Sequence, residues 1–280
     1  MNIEATLKSL SLEEKARLCS GKSFSNTNDL DGRLPSIELV DGPHGLRKQG
    51  GDQDMLGVFG SHPATCFPSG ATTANSWDPE LMREIGTALG EECRDQGVSV
   101  ILGPAVNMKR SPLCGRNFEY ISEDPYLAGR MAAGHINGVQ SQGVGTCIKH
   151  FAVNNQETNR FTVNEDLSER ALREIYLPAF ETAVREARPW SIMGSYNKIN
   201  GTPACQNKHL LDDILRKDWG YEGVTVTDWG AIWDRVEGIK AGLDLQMPYC
   251  GEDYINAVVK AVKDGTLDEA RLDECARRVL

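Results

Sequence analysis

The chain has 280 residues, of which 40% are hydrophobic and 25% are charged. This length fits two small domains or one α/β barrel of ~250 residues, and the apolar fraction excludes a disordered chain. No apolar run approaches the ~18 residues needed to cross a bilayer. The formal net charge of −10 disfavours a nucleic acid or an anionic membrane as the main partner.

Eight cysteines are scattered along the chain without a CxxC motif, and no HExxH motif occurs. A metal site built from a local motif is therefore disfavoured, and we expect neither a metal nor a cofactor. Residues 1–10 lack the basic start and apolar middle of a signal peptide. Scattered thiols without an export signal are typical of a reducing compartment, so the sequence predicts a cytoplasmic protein.

Short β-branched runs alternate with amphipathic helical patterns. The predicted strands, in chain order, cover residues 37–40, 98–102, 145–148, 191–194, 223–227 and 243–246, with a weaker candidate at 65–67. The predicted helices cover residues 79–96, 125–142, 168–187, 207–218, 231–241, 253–264 and 267–280. This alternation predicts a parallel sheet covered by helices.

Capping signals mark several of the helix starts. Asp78 and Asp124 each precede a proline at the first helical position, and Ser11 and Thr266 each begin a capping box.

The sequence contains no glycine-rich phosphate-binding turn such as GxGxxG. Together with seven strand candidates, this favours an α/β fold of the (β/α)8 TIM-like barrel type over an open doubly wound sheet. Residues 42–64 carry no helical pattern, so we expect the first βα unit to be collapsed or to lack its helix.

Polar and aromatic residues follow the ends of five predicted strands, where an α/β barrel places its chemistry. In chain order they are Asp41, then Arg110, Arg116 and Glu119 in one long loop, then Lys149 and His150, then Tyr196, then Asp228 and Trp229. Carboxylates and cations bind hydroxyl groups through charge-assisted hydrogen bonds, and aromatic rings pack on sugar faces. The pattern indicates a pocket for a small polyhydroxylated ligand, with a carboxylate kept ionised by positive neighbours as a candidate nucleophile.

Structural interpretations compete with these functional ones. Asp228 could cap a helix that starts near Ala231, and Arg116 with Glu119 could be an ion pair that holds the long loop. Lys149 could be a Schiff-base lysine of an aldolase instead of a sugar-binding group.

Five segments, read together, resemble the β-glucosidases of glycoside hydrolase family 3, in the order of that family and over nearly the whole chain. The segments are DGPHGLR at 41–47, GPAVNMKRSPLCGRNFEYISEDP at 103–125, KHFAVNNQE at 149–157, MGSYNKING at 193–201 and VTVTDWGA at 224–231.

The resemblance implies a retaining hydrolase that removes terminal non-reducing β-D-glucosyl residues from β-glucosides or cello-oligosaccharides. Residues 1–280 would be its catalytic N-terminal barrel, with Asp228 as the nucleophile, and Arg110 and Glu119 would support the sugar subsite from behind. The subsite itself would be formed by Asp41, Arg116, Lys149, His150, Met193, Tyr196 and Trp229.

Two departures from family patterns matter. The KHF motif continues as AVNNQETNR and not as PGHG, which disfavours the hexosaminidase branch. The family's β-glucosidases have a following α/β sandwich domain that supplies the acid/base glutamate. The chain ends after the last predicted barrel helix, so we expect the acid/base outside it. A non-catalytic sugar-binding barrel and a β-xylosidase are the alternatives.

Overall fold

A computed structural model describes residues 2–51, 53 and 60–280, and its centre is a curled parallel sheet. The strands are β1 (Leu39–Asp41), β2 (Val100–Leu102), β3 (Gly145–Phe151), β4 (Asn164–Glu165), β5 (Ser191–Gly194), β6 (Lys198–Ile199), β7 (Thr202–Pro203) and β8 (Val224–Thr227). Strands β1, β2, β3, β5 and β8 pair in that order, all parallel, while β4, β6 and β7 form a small separate sheet. The predicted α/β class with a barrel-like sheet is confirmed.

The curled sheet continues beyond β8 through isolated bridges. Leu245 bridges Val226, and Gln246 bridges Ser20, both in parallel orientation. The segment after Ser20 then reaches β1, where the Leu39 N–H donates to the Ser25 carbonyl at 2.9 Å. The strand predicted at 243–246 is therefore reduced to two bridging residues.

The weaker strand candidate at 65–67 is wrong. The Phe67 N–H donates to the carbonyl of His44 at 2.9 Å, and the Thr65 N–H donates to the Glu92 carboxylate at 3.2 Å. These bonds tie the segment to a loop and to a helix side chain, so it joins no strand ladder.

Helices cover the outside of the sheet. They are α1 (Ile3–Ser9), α2 (Leu12–Leu18), α3 (Gly70–Thr73), α4 (Pro79–Asp95), α5 (Pro125–Gln140), α6 (Glu169–Ala171), α7 (Pro178–Ala187), α8 (Arg235–Ala241), α9 (Glu252–Lys263) and α10 (Glu269–Val279). Leu172–Tyr176 and His209–Asp218 are π-helical, and Ala74–Ser76 and Ala204–Gln206 are short 3₁₀ turns. None of the described helices combines the length and the apolar character needed to cross a membrane.

The predicted helix at 168–187 contains a π-helical interruption. Proline lacks an N–H group and its ring clashes with the carbonyl four residues earlier, so Pro178 breaks the regular ladder. The Leu177 N–H accordingly donates to the Leu172 carbonyl, five residues back, at 3.0 Å.

Local capping chemistry explains most helix starts. Asp78, Asp124 and Ser11 cap α4, α5 and α2 as predicted. The capping box predicted at Thr266 is wrong, because Asp268 caps α10 by accepting from the Ala270 N–H. The Thr266 hydroxyl donates instead to the Ala261 carbonyl at 3.2 Å.

The first βα unit lacks a helix in its described part. Residues 42–51, 53 and 60–69 contain none, and the first helical turn after β1 is α3. Residues 52 and 54–59, which belong to the same prediction, lie outside the described residues.

Helix α5 packs closely on α4 through glycines that bring the two backbones together. A Cβ atom at Gly138 would collide with the Arg83 carbonyl, and one at Gly134 would collide with the Pro79 carbonyl. His135 is 1% exposed on α5, and its two ring nitrogens make no hydrogen bond with the described residues. Burial lowers the pKa of His135 from 6.5 to about 4.

We expect His135 to make the fold sensitive to acid. The unfolded chain binds a proton near pH 6.5 and the folded chain near pH 4, so stability is fully present above pH 6.5 and falls as the pH drops toward 4. The loss amounts to about 3 kcal/mol, since one pKa unit corresponds to ~1.4 kcal/mol. Urea unfolding of His135→Leu at about pH 7 and pH 4.5 should show a smaller acid loss than the parent, whereas exposed His62→Leu should match the parent. An equal loss in all three proteins would contradict this assignment.

Candidate active site

The carboxyl ends of the strands open on a cavity of about 300 Å³. All the residues predicted to act in catalysis or sugar binding line it, namely Asp41, Arg116, Lys149, His150, Met193, Tyr196, Asp228 and Trp229. Strand geometry explains part of this convergence. Strand β3 extends to Phe151, three residues further than predicted, and its period of two places Lys149 on the same interior face as Cys147.

Lys149 lies at the base of the cavity between two carboxylates. Its Nζ is 2.6 Å from Asp41 Oδ1 and 3.2 Å from Glu119 Oε1, and its side chain is 4% exposed. Burial opposes the charge, but Asp41 and Glu119 outweigh it and raise the pKa of Lys149. A lysine held as an ammonium in this way is unsuited to form a Schiff base, so the geometry speaks against the aldolase interpretation.

Arg116 and Glu119 form a bidentate ion pair beside this lysine. Arg116 Nε and Nη2 donate to the two Glu119 oxygens at 2.8 and 3.1 Å. Burial works against ionisation of Glu119, but Lys149 and Arg116 outweigh it and lower the pKa of that carboxyl. The pair holds the long loop, as the structural interpretation proposed, and it also brings the Arg116 side chain to the cavity wall.

Asp228 directly follows β8, and 13% of its side chain is exposed. Its Oδ1 accepts from the Trp229 N–H at 2.7 Å, and its Oδ2 lies 3.6 Å from His150 Nε2. Burial raises the pKa of Asp228, although Arg116 and Lys149 partly oppose the rise. The positive neighbours therefore moderate the effect of burial but do not outweigh it. Asp228 is not a helix cap, because α8 is capped by Asp234.

Aromatic and sulfur-containing side chains complete the wall. The Tyr196 hydroxyl donates to the Trp229 carbonyl at 2.9 Å, and Trp229 Nε1 donates to the Phe24 carbonyl at 2.8 Å. Met193 on β5 is 1% exposed. These contacts fix two rings beside Asp228, which suits the apolar face of a sugar.

The structure adds cavity residues that sequence reasoning missed. Arg47 pairs with Asp41 at 2.9 Å. Arg160 pairs with Glu157 at 2.8 Å and lies 4.9 Å from the centre of the Tyr196 ring. The DGPHGLR motif contained a usable signal for Arg47.

The remaining residues around the cavity include some that the sequence did not predict. Further lining residues are Phe24, Ser25, Leu39, Val40, Gln49, Gln53 and Leu102. Arg110 was expected to support the site, but it is exposed and absent from the lining. Glu119 does contact Lys149 and Arg116 from behind, as expected.

A second cavity of about 890 Å³ lies at the opposite end of the sheet. Its walls include the strand-start residues Val100, Ser191 and Val224 with Trp190 and Leu280. In α/β barrels the chemistry belongs to the carboxyl ends of the strands, so the smaller cavity is the candidate active site. Among the described residues, no three His, Cys, Asp or Glu side chains gather as metal ligands do.

The fold and the cavity define an α/β barrel-type domain with a polar, aromatic-walled pocket at the carboxyl ends of its strands. Residues 51–280 match the family description "Glycosyl hydrolase family 3 N terminal domain". The chain belongs to this family.

Known proteins resemble the chain over essentially its whole length. It is 53% identical to thermostable β-glucosidase B of Acetivibrio thermocellus, covering 100% of the chain and 37% of that protein. It is 51% identical to exo-α-(1→6)-L-arabinopyranosidase of Bifidobacterium longum, covering 98% of the chain and 36% of that protein. The structure of β-glucosidase 3B from Thermotoga neapolitana in complex with glucose superposes with a TM-score of 0.93 at 45% identity, covering 99% of the chain and 42% of that structure. The chain thus spans well under half the length of these relatives.

Lys149 should contribute strongly to the stability of the fold. Its removal leaves Asp41 and Glu119 facing each other without their shared cation, so we expect Lys149→Met to destabilise the fold by about 3–5 kcal/mol in urea unfolding. Lys240→Met is the matched control, because it breaks an exposed pair with Glu237 and should cost under ~1 kcal/mol. Equal, small losses in the two variants would show that the buried cluster does not stabilise the fold.

Proposed function

We propose that the chain is the barrel domain of a retaining β-glucosidase. The observation that carries this proposal is the pairing pattern in the cavity. Asp41 is held by Lys149 and Arg47, whereas no Lys or Arg nitrogen of the described residues lies within 4.0 Å of the Asp228 carboxylate. Asp228 is the lining carboxylate that remains free to attack a sugar.

In the proposed reaction Asp228 attacks the anomeric carbon of a glucosyl residue, and the glycosidic bond to the leaving group breaks. The product is a covalent glycosyl ester on Asp228, which water then hydrolyses with retention of configuration. Burial raises the pKa of Asp228, so its carboxylate is more basic than an ordinary one. Turnover should therefore fall with decreasing pH at values above those of a solvated aspartate.

The other lining residues bind the non-reducing sugar. Asp41, Arg116, Lys149 and His150 offer donors and acceptors for hydroxyls, and Met193, Tyr196 and Trp229 offer apolar surface. Retention requires a second carboxyl group about 5–5.5 Å from the nucleophile. We infer that this acid/base comes from a separate α/β sandwich domain, since the relatives are more than twice as long as the matched region.

The partners of this domain follow from the same reasoning. Its substrate would be a β-glucoside or a cello-oligosaccharide, and its macromolecular partner would be the sandwich domain and not a nucleic acid or a membrane. All eight cysteines are free, which fits a reducing compartment, and we propose that the protein is cytoplasmic.

The isolated chain allows a direct test of Asp228. A dinitrophenyl β-glucoside needs no proton for its leaving group to depart, so it should glycosylate Asp228 and then stall. We expect a burst of one phenolate per chain, a hexose added to the intact mass, and faster release with azide. Asp228→Asn should lower the rate of the burst at least ~10³-fold without unfolding the chain.

Three outcomes would contradict parts of this account. A full burst with Asp228→Asn would remove Asp228 from the nucleophile role. Steady cellobiose hydrolysis by the chain alone would place an acid/base within these residues, with Glu119 and Glu157 as the first to replace by glutamine. Glucose binding without any burst would favour a non-catalytic sugar-binding barrel.

An arabinopyranosidase is the second candidate, because a relative with that activity is 51% identical to the chain. Arabinopyranosides and β-xylosides both lack the hydroxymethyl group of glucosides. Comparing the reaction rates of the dinitrophenyl glycosides of the three sugars therefore tests whether the cavity favours that group. We expect the glucoside to react at least ~10-fold faster than the xyloside and the arabinopyranoside, which corresponds to ~1.4 kcal/mol. If the xyloside or the arabinopyranoside reacts fastest instead, the corresponding pentosidase activity replaces β-glucosidase as the proposed function.

A further inference from the structure

Asn107 is a buried amide in the loop after β2, with 2% of its surface exposed. Its Oδ1 accepts from the His150 backbone N–H at 2.8 Å, and its Nδ2 donates to the His150 carbonyl at 2.9 Å. The same Oδ1 lies 3.4 Å from Nδ1 of the His150 ring. Asn107 does not line the cavity, so its influence there passes through His150.

Arg116 occupies the other side of the His150 ring. Its Nη2 lies 2.9 Å from His150 Nε2. A guanidinium has donors and no acceptor, so Nε2 must present a lone pair to it. The proton of a neutral ring then sits on Nδ1, facing Asn107 Oδ1. A protonated ring would place an N–H group against the N–H of Arg116.

The charges around His150 reinforce this state. Burial lowers the pKa of His150 well below its ordinary value, and the cations Arg116, Lys149 and Arg160 lower it further. Among the residues that the structure describes, Asp228 is the acidic group that faces the ring, with Oδ2 at 3.6 Å from Nε2. The Tyr120 ring packs edge-on against the His150 ring. A neutral ring with an unprotonated Nε2 has no proton to donate to Asp228.

We propose that Asn107 is a positioning residue that holds His150 neutral with its proton on Nδ1. Nε2 is thereby kept as an acceptor, which faces Arg116 in this structure, and the Asp228 carboxylate receives no proton or ion pair from the ring. The consequence for Asp228 rests on the proposed function, whereas the state of the His150 ring does not.

Replacing Asn107 by aspartate should change the protonation state of the His150 ring. A carboxylate at position 107 would accept from Nδ1–H and stabilise the imidazolium, because an opposite charge at hydrogen-bond distance favours the charged form. The new Nε2–H would then face Arg116, which repels it, and Asp228, which attracts it. His150 would pair with the carboxylate that has to react.

The first measurement is the ¹⁵N NMR spectrum of the parent chain with labelled histidine, with the His150 signals assigned by His150→Gln. We expect Nδ1 to be protonated and Nε2 to be unprotonated from about pH 5.5 to pH 8. A proton on Nε2, or a charged ring at neutral pH, would overturn the proposal without any variant.

The second measurement is the same titration with Asn107→Asp. We expect the proton affinity of His150 to rise at least ~10-fold. Asn155→Asp is the matched control, because Asn155 is a buried amide of a neighbouring loop that donates to the Met108 carbonyl and makes no described contact with His150. It should leave the His150 titration unchanged, and equal effects of the two variants would contradict a specific role for Asn107.

Asn107→Ser provides an independent variant should the aspartate prevent folding. It removes the acceptor that faces Nδ1–H without adding charge, so Arg116 alone then disfavours a proton on Nε2, and a measurable share of the Nε2–H tautomer should appear. A spectrum that still shows pure Nδ1–H would mean that Arg116 alone sets the tautomer, and the proposal would be wrong.

The catalytic consequence is read from the burst with a dinitrophenyl β-glucoside. Asn107→Asp should slow the burst below the new His150 pKa and restore it above that pH, with little change in the substrate concentration for half-saturation. A burst slowed equally at every pH would indicate a purely structural role for Asn107. Absence of a burst in the parent chain would count against the proposed function, while the NMR titrations would still decide the state of His150.

Discussion

The ammonium of Lys149, buried between the carboxylates of Asp41 and Glu119, is the interaction on which the rest of the site depends. It joins β3 to β1 and to the long loop after β2, although Lys149 and Asp41 are 108 positions apart in the sequence. Each of these charges would be costly to bury alone, and the geometry supplies partners for all of them. Glu119 then holds Arg116, so a single cation on a central strand fixes the positions of groups from three parts of the chain.

The parts of the fold and site that follow from local rules could be predicted from the sequence. Asp78 and Asp124 cap their helices because an aspartate before a proline satisfies the first free N–H groups wherever it occurs. Asp41 and Asp228 could be placed at one rim because each ends or follows a readable apolar strand, and parallel strands bring such positions together. Met193 was predicted as a subsite residue only through the family resemblance, because the spacing of residues does not single out this position.

The features that the sequence did not reveal depend on long-range contacts. Phe24 reaches the cavity because its carbonyl accepts from Trp229 Nε1, 205 residues away. The neighbouring Ser25 carbonyl bonds to the Leu39 N–H of β1, and local sequence periodicity does not predict such a bond. Arg160 arrives on an irregular loop and is positioned by the Tyr196 ring and by Glu157. Thr266 is a different case. Its sequence motif is typical of a capping box, but Asp268, two residues further on, caps the helix instead.

The distribution of charge separates Asp228 from the other carboxylates that the structure describes around the cavity. Lys149 pairs with both Asp41 and Glu119. Arg47 also pairs with Asp41, Arg116 with Glu119, and Arg160 with Glu157. Although burial opposes ionisation, Lys149 lowers the pKa of Asp41, and Lys149 with Arg116 lowers the pKa of Glu119, whereas burial raises the pKa of Asp228. In the proposed reaction Asp228 becomes a neutral ester. Because no Lys or Arg in the described part of the chain forms a salt bridge with Asp228, forming that ester breaks no buried ion pair with these residues. A nucleophile drawn from the paired carboxylates would instead leave an unpaired cation in the interior, at a cost of several kcal/mol.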